Sequence, residues 1–456
     1  MFTHIKEQIS SLKKSEFFKN SAILAGGTGF AQFIPILISP ILTRLYSPAD
    51  FGLLGLFTSF VSVFVVMAAW GYNKGIMLPK TQQEGVNLTF LSILASFISA
   101  GFLLIVFIIF NDPVSQLVNN KSIGKWLYLV PLVVFFRAVY DGLSFWLNRN
   151  KDYKPIASSK VGVRITSSGG QIGGGILKMG SMGLIGSVAL GSAVGTGLLI
   201  TRTVRKNKDL FKSISLDKMK YLARRYQKFP KFTMPSSLLN SFSLQVPVFI
   251  LSGFFAETIV GLYVLAHRIL SMPIQVLGQS IANVYYQQAS TLREEPEKLR
   301  DLTFKLFKNL LLIGVLPMGI LMAFGDHLFA FVFGEEWFDA GRYAQLLSIW
   351  MLFNFSSSPI SRLFSVLEKQ EKSLIVNALL LIFRIFPLLV GVALFADFPL
   401  KVILIYSIMN LIFWVGFNYY LLRQVKVKWF VITKTIIVFF LIPVSLLILI
   451  RLVIGI

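Results

Sequence analysis

The sequence predicts an all-α polytopic membrane protein, and three observations lead to this fold class. Hydrophobic residues make up 55% of the 456 residues, whereas charged residues make up only 14%. The mean hydropathy is +0.70. Apolar runs of about 20 residues, enough to cross roughly 30 Å of hydrocarbon, recur along the whole chain. A β-barrel would instead show short segments that alternate between apolar and polar residues.

The apolar runs predict thirteen membrane spans. The segment before them, residues 1–19, is polar and basic, and the first apolar run is too long for a signal sequence, so no cleavable signal is expected. The predicted spans are 20–45, 50–73, 86–110, 125–148, 156–177, 182–202, 232–254, 261–285, 306–332, 342–365, 373–395, 399–422 and 430–452.

The distribution of basic residues predicts the orientation of these spans. With the N-terminus in the cytoplasm, 34 of the 44 lysines and arginines fall on the cytoplasmic side and 7 on the opposite side. This bias is what the positive-inside rule requires. It also accounts for the net charge of +23, because the excess basic residues face anionic lipid headgroups. Nucleic acid is therefore not expected as a partner.

A basic segment divides the chain almost evenly and predicts two helical bundles. Arg202 to Lys231 contains 11 basic residues. A weak internal repeat supports the division, because Pro40 precedes Phe51-Gly-Leu-Leu54 much as Pro247 precedes Val260-Gly-Leu-Tyr263. Such repeats are typical of transporters whose bundles rock about a midplane site. The predicted organisation is a cytoplasmic segment at 1–19, an N-lobe of six spans at 20–203, a basic cytoplasmic linker at 204–231, a C-lobe of six spans at 232–425, and an additional transmembrane helix at 426–456.

The fifth and sixth predicted spans are rich in glycine. Gly170 with Gly174, and Gly191 with Gly195, have the spacing that lets two membrane helices approach closely. A phosphate-binding glycine loop would need a preceding strand, which is not predicted here. The glycines therefore predict close helix packing.

Three arginines inside apolar runs are the strongest functional signal. A guanidinium at the bilayer centre costs about 2.5 to 3.5 kcal/mol, so Arg137, Arg268 and Arg384 are expected to face a wet, polar interior. Asp141 is the only carboxylate predicted at a comparable depth. The sequence thus predicts a cationic cavity for an anionic cargo. Arg44, near the outer end of the first span, is a further candidate.

Two alternatives remain open for Arg137 and Asp141. They are four residues apart and so share one helical face, where they could form a structural ion pair or take part in substrate binding and ion coupling. Arg164 and Arg362 lie near the predicted cytoplasmic ends of their spans, where a long side chain can snorkel to the interface.

Other site chemistries are not supported by the sequence. The chain has no cysteine, and His4, His267 and His327 are scattered, so no metal site or cofactor is expected. The predicted outer loops are short, and the inner linker has no cluster of carboxylates. An enzyme is therefore not expected.

Several motifs resemble those of a known transporter family. Ser39-Pro-Ile-Leu-Thr-Arg-Leu-Tyr-Ser-Pro-Ala-Asp-Phe-Gly52, together with Met77-Leu-Pro-Lys80, resembles the opening of the Wzx O-antigen flippases. These belong to the multidrug/oligosaccharidyl-lipid/polysaccharide exporter superfamily. Phe229-Pro-Lys-Phe232 is similar to the seventh span of that family, and Gly261-Leu-Tyr-Val-Leu-Ala-His-Arg268 is similar to its eighth. The resemblance covers residues 20 to about 425.

This resemblance implies two six-helix lobes related by pseudo-two-fold symmetry in a V shape. It implies a flippase of the bacterial inner membrane that moves an undecaprenyl-diphosphate-linked oligosaccharide, an O-antigen or related repeat unit, to the periplasmic leaflet by alternating access. Arg268, Arg384, Arg137 and Arg44 are the residues that could supply its cationic cavity. Expected partners are this cargo and membrane lipids, and candidate protein partners are a polysaccharide polymerase and a chain-length regulator.

Two other cargoes fit the same superfamily. A lipid II flippase would carry the same diphosphate, and complementation of a strain lacking one or the other transporter would separate the two. A multidrug or cation antiporter would be expected to have carboxylates in its cavity. Asp141 beside three arginines argues against that alternative.

Overall fold

The computed structural model describes residues 26, 29, 31–206 and 208–455, and every regular element within them is helical. The predicted segment 1–19 and much of the first predicted span lie outside the described residues. Ten of the described helices are long and apolar enough to cross a membrane. The prediction of an all-α polytopic membrane protein is confirmed.

The described residues form two compact units. Unit 1 contains the described residues up to Tyr46 together with Leu53–Gln245, and unit 2 contains Ser47–Gly52 together with the described residues from Val246 onward. The chain passes from one unit to the other three times, once between two helices at Tyr46–Ser47 and twice inside helices, at Gly52–Leu53 and Gln245–Val246. The lobe boundaries at 203 and 232 stay predictions.

Up to the end of the basic linker, the chain forms one short helix, five long helices and then the helix of the linker. Short helical turns lie between them, at Tyr72–Gly75, Asn111–Leu117, Lys121–Ile123, Gly124–Leu127 and Lys208–Phe211. The helices are α1 (Ser39–Leu45), α2 (Pro48–Ala68), α3 (Gln82–Ile109), α4 (Val130–Arg149), α5 (Tyr153–Ile176), α6 (Ser181–Lys206) and α7 (Leu216–Arg225).

Glycine brings α5 and α6 into close contact within unit 1. A Cβ atom on Gly191 would lie 2.9 Å from the carbonyl oxygen of Val163, and one on Gly174 would lie 2.6 Å from the Cα atom of Gly183. Real side chains do not fit at such distances, so only glycine allows these helices to pack backbone against backbone. The predicted close packing of the glycine-rich spans is confirmed.

The basic linker contains an amphipathic helix, α7, that is fixed across the beginning of α3. Its Met219 and Leu222 are buried against unit 1, whereas its lysines and arginines are exposed. The Asn87 side chain donates to the Ser213 carbonyl at 3.1 Å and accepts from the Ser215 amide at 2.9 Å. The part of the linker from Ser213 to Leu222 is therefore packed within unit 1.

The helices that follow the linker form most of unit 2. They begin after a π-helical turn at Phe229–Thr233, and short turns lie at Ile274–Gly278, Glu335–Trp337, Ile360–Arg362, Leu363–Val366 and Ile437–Leu441. The helices are α8 (Met234–Phe254), α9 (Glu257–Pro273), α10 (Gln279–Thr291), α11 (Pro296–Phe333), α12 (Phe338–Ser357), α13 (Gln370–Leu394), α14 (Pro399–Gln424), α15 (Trp429–Ile436) and α16 (Ile442–Ile454).

The additional predicted span at 430–452 corresponds to α15 and α16, which run on through a π-helical turn. With a mean hydropathy of 2.9, this segment is the most apolar of the ten candidate spans, and it is also the least covered by the protein. A buried ion pair connects it to α11, where Arg451 Nη2 lies 2.6 Å from Asp326 Oδ2. Arg451 Nη1 also donates to the Ala323 carbonyl at 2.6 Å.

Asp326 corrects one sequence-based prediction. Asp141 is not the only carboxylate at depth, because Asp326 lies seven residues before the end of α11 and its side chain is only 6% exposed. It also accepts hydrogen bonds from the His327 amide at 2.9 Å and from Gln345 Nε2 at 3.1 Å. These contacts satisfy a buried carboxylate that would otherwise be costly.

The two glycines of the internal repeat meet each other inside unit 2. A Cβ atom on Gly52 would overlap the carbonyl oxygen of Glu257, and one on Gly261 would overlap the carbonyl oxygen of Pro48. The beginning of α2 and the beginning of α9 thus cross with no room for a side chain on either helix. The repeat motif is explained by this contact.

We expect Gly261→Ala to destabilise the protein, because the new methyl group must displace the backbone of Pro48. Overpacking of this kind costs about 1 to 3 kcal/mol. The measurement is the thermal unfolding midpoint of the purified protein in detergent. Gly197→Ala is the matched control, since a Cβ atom there meets nothing within 4 Å. Equal midpoints for the two variants would contradict the tight crossing.

We expect Arg451→Met to lower the same unfolding midpoint, because it leaves the Asp326 carboxylate buried without its guanidinium. Breaking a buried ion pair costs up to about 3 to 5 kcal/mol. Arg342→Met is the control, because its 3.2 Å pair with Asp339 is exposed and such pairs contribute less than about 1 kcal/mol. Adding Asp326→Asn to Arg451→Met should recover part of the loss. No recovery would mean that the pair is not what connects α16 to α11.

Candidate functional site

Unit 1 contains a polar cavity of about 400 Å³ among α2, α4, α5 and α6. The cavity is partly open to its surroundings. It has space for many water molecules, because a cavity needs only about 10 to 15 Å³ to hold one. Its charged and polar lining comes mainly from two helices. These lining residues are Gln32, Arg137, Tyr140, Asp141, Lys160, Arg164 and Ser192.

Helix α4 supplies one cation and the carboxylate. Arg137 and Asp141 are one helical turn apart and both face the cavity, so the predicted shared face is confirmed. Arg137 Nε lies 3.4 Å from the Ser192 hydroxyl oxygen on α6. Arg137 is half-buried, and Asp141 is exposed to the open space of the cavity.

Helix α5 supplies two more cations, which the sequence-based reasoning missed. Lys160 and Arg164 lie seven and eleven residues after Tyr153, the first residue of α5. At 1.5 Å per residue, Arg164 lies about 16 Å from the beginning of α5. The Arg164 side chain lines the cavity, and its snorkelling to the cytoplasmic interface stays a prediction.

The ionised groups of the cavity interact with one another. Asp141 attracts both Arg137 and Lys160, whereas Arg137 and Arg164 repel each other. Three cations and one carboxylate give the cavity a formal charge of +2. Because like charges held close together repel one another, this arrangement favours an anion that brings about two negative charges.

Uncharged contacts hold the three cavity helices in register. The Tyr140 hydroxyl on α4 and the Ser159 hydroxyl on α5 share a hydrogen bond of 2.9 Å. The Thr196 hydroxyl on α6 donates to the Phe136 carbonyl on α4 at 2.7 Å. Beside them, a Cβ atom on Gly195 would overlap the Val163 side chain of α5. The cations thus project from a packed frame rather than from loops.

The other predicted site residues lie elsewhere. Arg44 belongs to unit 1 and is exposed near the end of α1, and Arg268 and Arg384 belong to unit 2, where both are half-buried. A single cavity that contains all four arginines stays a prediction. In the described part of the chain, no three His, Asp or Glu side chains come together as a metal site would require.

Arg384 is part of a second polar cluster, which is confined to unit 2. It interacts electrostatically with Tyr263, Tyr406 and His267. The two tyrosine hydroxyls share a hydrogen bond, and the Tyr263 and His267 rings stack with centroids 5.6 Å apart. This cluster contains hydrogen-bonding groups as well as a cation. From the sequence, only the position of Arg384 within an apolar span indicated it.

A known protein family matches most of this chain. Residues 41–342 match the sequence profile of a family described as polysaccharide biosynthesis protein. The matched segment includes all of α4, α5 and α6 and therefore the charged residues of the cavity.

Characterised relatives are distant in sequence. The succinoglycan biosynthesis transport protein ExoT of Rhizobium meliloti is 21% identical over 72% of this chain, and the match spans 64% of the length of that relative. The lipopolysaccharide biosynthesis protein WzxC of Escherichia coli strain K12 is 24% identical over 30% of this chain and 28% of its own length.

Solved structures show the same fold. The lipid II flippase MurJ in an inward closed conformation superposes with a TM-score of 0.70 at 17% identity, covering 95% of this chain and 93% of MurJ. An inward-facing multidrug resistance transporter of the MATE family gives 0.67 at 16% identity, covering 91% of this chain and 99% of that one. Both likenesses concern the fold alone.

Proposed function

The chain belongs to the polysaccharide biosynthesis protein family, and from this premise we propose that it is a flippase for an undecaprenyl-diphosphate-linked oligosaccharide. The cargo would be an O-antigen or related repeat unit. It would move from the cytoplasmic to the periplasmic leaflet of a bacterial inner membrane by alternating access, with the N-terminus of the protein in the cytoplasm. The lipid tail would stay in the bilayer while the polar head crosses.

The charge of the unit 1 cavity is the observation that carries this proposal. A diphosphate linkage bears about two negative charges, which match the formal charge of +2 supplied by Arg137, Asp141, Lys160 and Arg164. Arginine suits this role because its planar fork can bond two phosphate oxygens at once. Lys160 would add a point charge, and Asp141 would keep Arg137 and Lys160 oriented when the cavity is empty.

The same charge argues against a cation as cargo. A multidrug cation would enter a space with three cations and one carboxylate, where repulsion exceeds attraction. A lipid II head would fit the charge as well as an oligosaccharide diphosphate does, because the diphosphate is common to both. Only a flipping assay that offers both lipid II and the oligosaccharide lipid separates these two cargoes.

Arg268 and Arg384 remain proposed ligands for the polar head. Arg384 is supported by its surroundings, because the buried Tyr263 and Tyr406 can position the guanidinium and the half-buried His267 lies beside it. Arg268 is supported by its position next to His267 on α9 and by the family motif in which it lies. Arg44 is the weakest candidate, since it is exposed near a helix end.

We expect Arg164→Ala to reduce flipping of the undecaprenyl-diphosphate oligosaccharide about 10- to 100-fold, because a charged hydrogen bond to phosphate contributes about 1.5 to 3 kcal/mol. Arg164→Lys should restore part of the rate, since the charge returns without the fork. The measurement is the initial rate at which labelled lipid becomes accessible on the far side of proteoliposomes, with lipid II as a parallel cargo.

Arg205→Ala is the matched control, because Arg205 is an exposed arginine near the end of α6, away from the cavity lining. It should flip lipid at the rate of the unaltered protein. The proposed site would be wrong if Arg164→Ala flipped as fast as Arg205→Ala while both proteins were inserted to the same level. Faster transport of lipid II than of the oligosaccharide lipid would instead identify lipid II as the cargo.

We also expect the membrane potential to assist outward flipping. Moving two negative charges away from a negative interior is favoured by roughly 2.3 kcal/mol per charge for each 100 mV. Proteoliposomes with a potassium diffusion potential should flip the lipid faster when the loading side is negative than when the potential is zero or reversed. Flipping that is indifferent to an imposed voltage would contradict this part of the proposal.

A further inference from the structure

A second basic cavity lies in unit 2, where α11 begins beside the turn that joins α14 to α15. Its volume is about 210 Å³. Its charged residues come from α11 and from the turn itself, and apolar residues complete the lining. The residues that line it include Arg300, Asp301, Phe304, Lys426, Lys428 and Val431.

The turn that carries the two lysines has a defined backbone. Lys426 adopts a left-handed conformation with φ of 62°, which turns the chain sharply after α14. The Val427 amide donates to the Leu422 carbonyl at 3.1 Å, and Arg423 Nη1 donates to the Val427 carbonyl at 3.5 Å. These contacts keep Lys426 and Lys428 at the rim of the same cavity.

The charges of this cavity favour an anion. Arg300, Lys426 and Lys428 are cations, and Asp301 is the one carboxylate in the lining. Arg300 Nε lies 3.1 Å from Asp301 Oδ1, but this contact is largely exposed to solvent and therefore contributes little stability. The charges of Arg300 and Asp301 cancel, so the two lysines give the cavity a formal charge of +2.

The apolar side of the cavity continues onto the surface of the protein. Val431 and Phe304 belong to the lining, and Trp429 and Phe430 come directly after Lys428 with 66% and 51% of their surfaces exposed. Exposed tryptophan beside lysine at the beginning of an apolar span is typical of the bilayer interface. The distribution of basic residues predicts that this end of α15 is cytoplasmic, at the level of the lipid headgroups.

We propose that this cavity binds the headgroup of an anionic phospholipid. The phosphodiester would lie between Lys426, Lys428 and Arg300, and the first acyl carbons would lie along Val431 and Phe430. Basic pockets between membrane helices on the cytoplasmic side are suited to such headgroups. The bound lipid would join the beginning of α15, the least covered span, to the beginning of α11.

The test is lipid binding by the complete chain, purified in a neutral detergent and freed of lipid. Native mass spectrometry measures the dissociation constant of the tightest site for phosphatidylglycerol, for zwitterionic phosphatidylcholine and for soluble glycerol 1-phosphate. Phosphatidylglycerol should bind at least about tenfold more tightly than the other two. Lys426→Asn with Lys428→Gln should weaken it about 30-fold, because a lysine near an anionic headgroup contributes about fivefold.

The choice of variants separates binding from folding. Asparagine tolerates the left-handed backbone at position 426, so the charge is removed without added strain. Lys220→Gln with Lys228→Gln, two exposed lysines of unit 1, is the matched control and should bind as the unaltered protein does. If the double variant fails to fold, Lys428→Gln alone should weaken binding about fivefold.

Three results would overturn the proposal. Unchanged phosphatidylglycerol binding in the Lys426 and Lys428 variant would place the lipid elsewhere. Equal binding of phosphatidylcholine would show that charge does not select the ligand. Equal binding of glycerol 1-phosphate would identify a soluble phosphate rather than a membrane lipid as the occupant.

Discussion

The cost of burying ionised groups among apolar helices governs the structure of unit 1. Hydrocarbon cannot solvate a guanidinium, so such a side chain must face water or a compensating charge. Arg137, Lys160 and Arg164 meet this requirement together, by lining one cavity that also contains Asp141. The polar composition of α5, with its serines, glycines and three basic residues, follows from the same requirement, because this helix lines the cavity with Lys160 and Arg164.

Glycine makes that arrangement possible. Gly191 and Gly195 let α6 lie directly against α5, and this packing fixes where Lys160 and Arg164 project. The hydroxyl contacts of Tyr140 and Thr196 then connect α4 to both neighbours. Charged side chains that are long and flexible thus stand on three helices whose backbones are closely packed. Such a frame lowers the conformational entropy that the protein would lose when a ligand binds, because the backbone that carries the binding groups is already fixed.

Periodicity and hydropathy predicted most helices, because a membrane span must be long, apolar and internally hydrogen-bonded. The same reasoning placed Arg137 and Asp141 on one face. It missed Lys160 and Arg164, because distance along the chain to the end of a span does not say which way a side chain points. It missed the pairing of Asp326 with Arg451, which are 125 residues apart, since hydropathy contains no information about partners distant in sequence.

The fixed position of the cavity charges has a consequence for the proposed transport cycle. An electric field does work only on charges that move along it, and the cavity cations project from closely packed helices. In the proposed cycle they would therefore offset the desolvation of a diphosphate inside the cavity without travelling across the field themselves. The two negative charges of the cargo would still cross the full potential. Neutralising the head inside the protein is thus compatible with a voltage that drives it outwards.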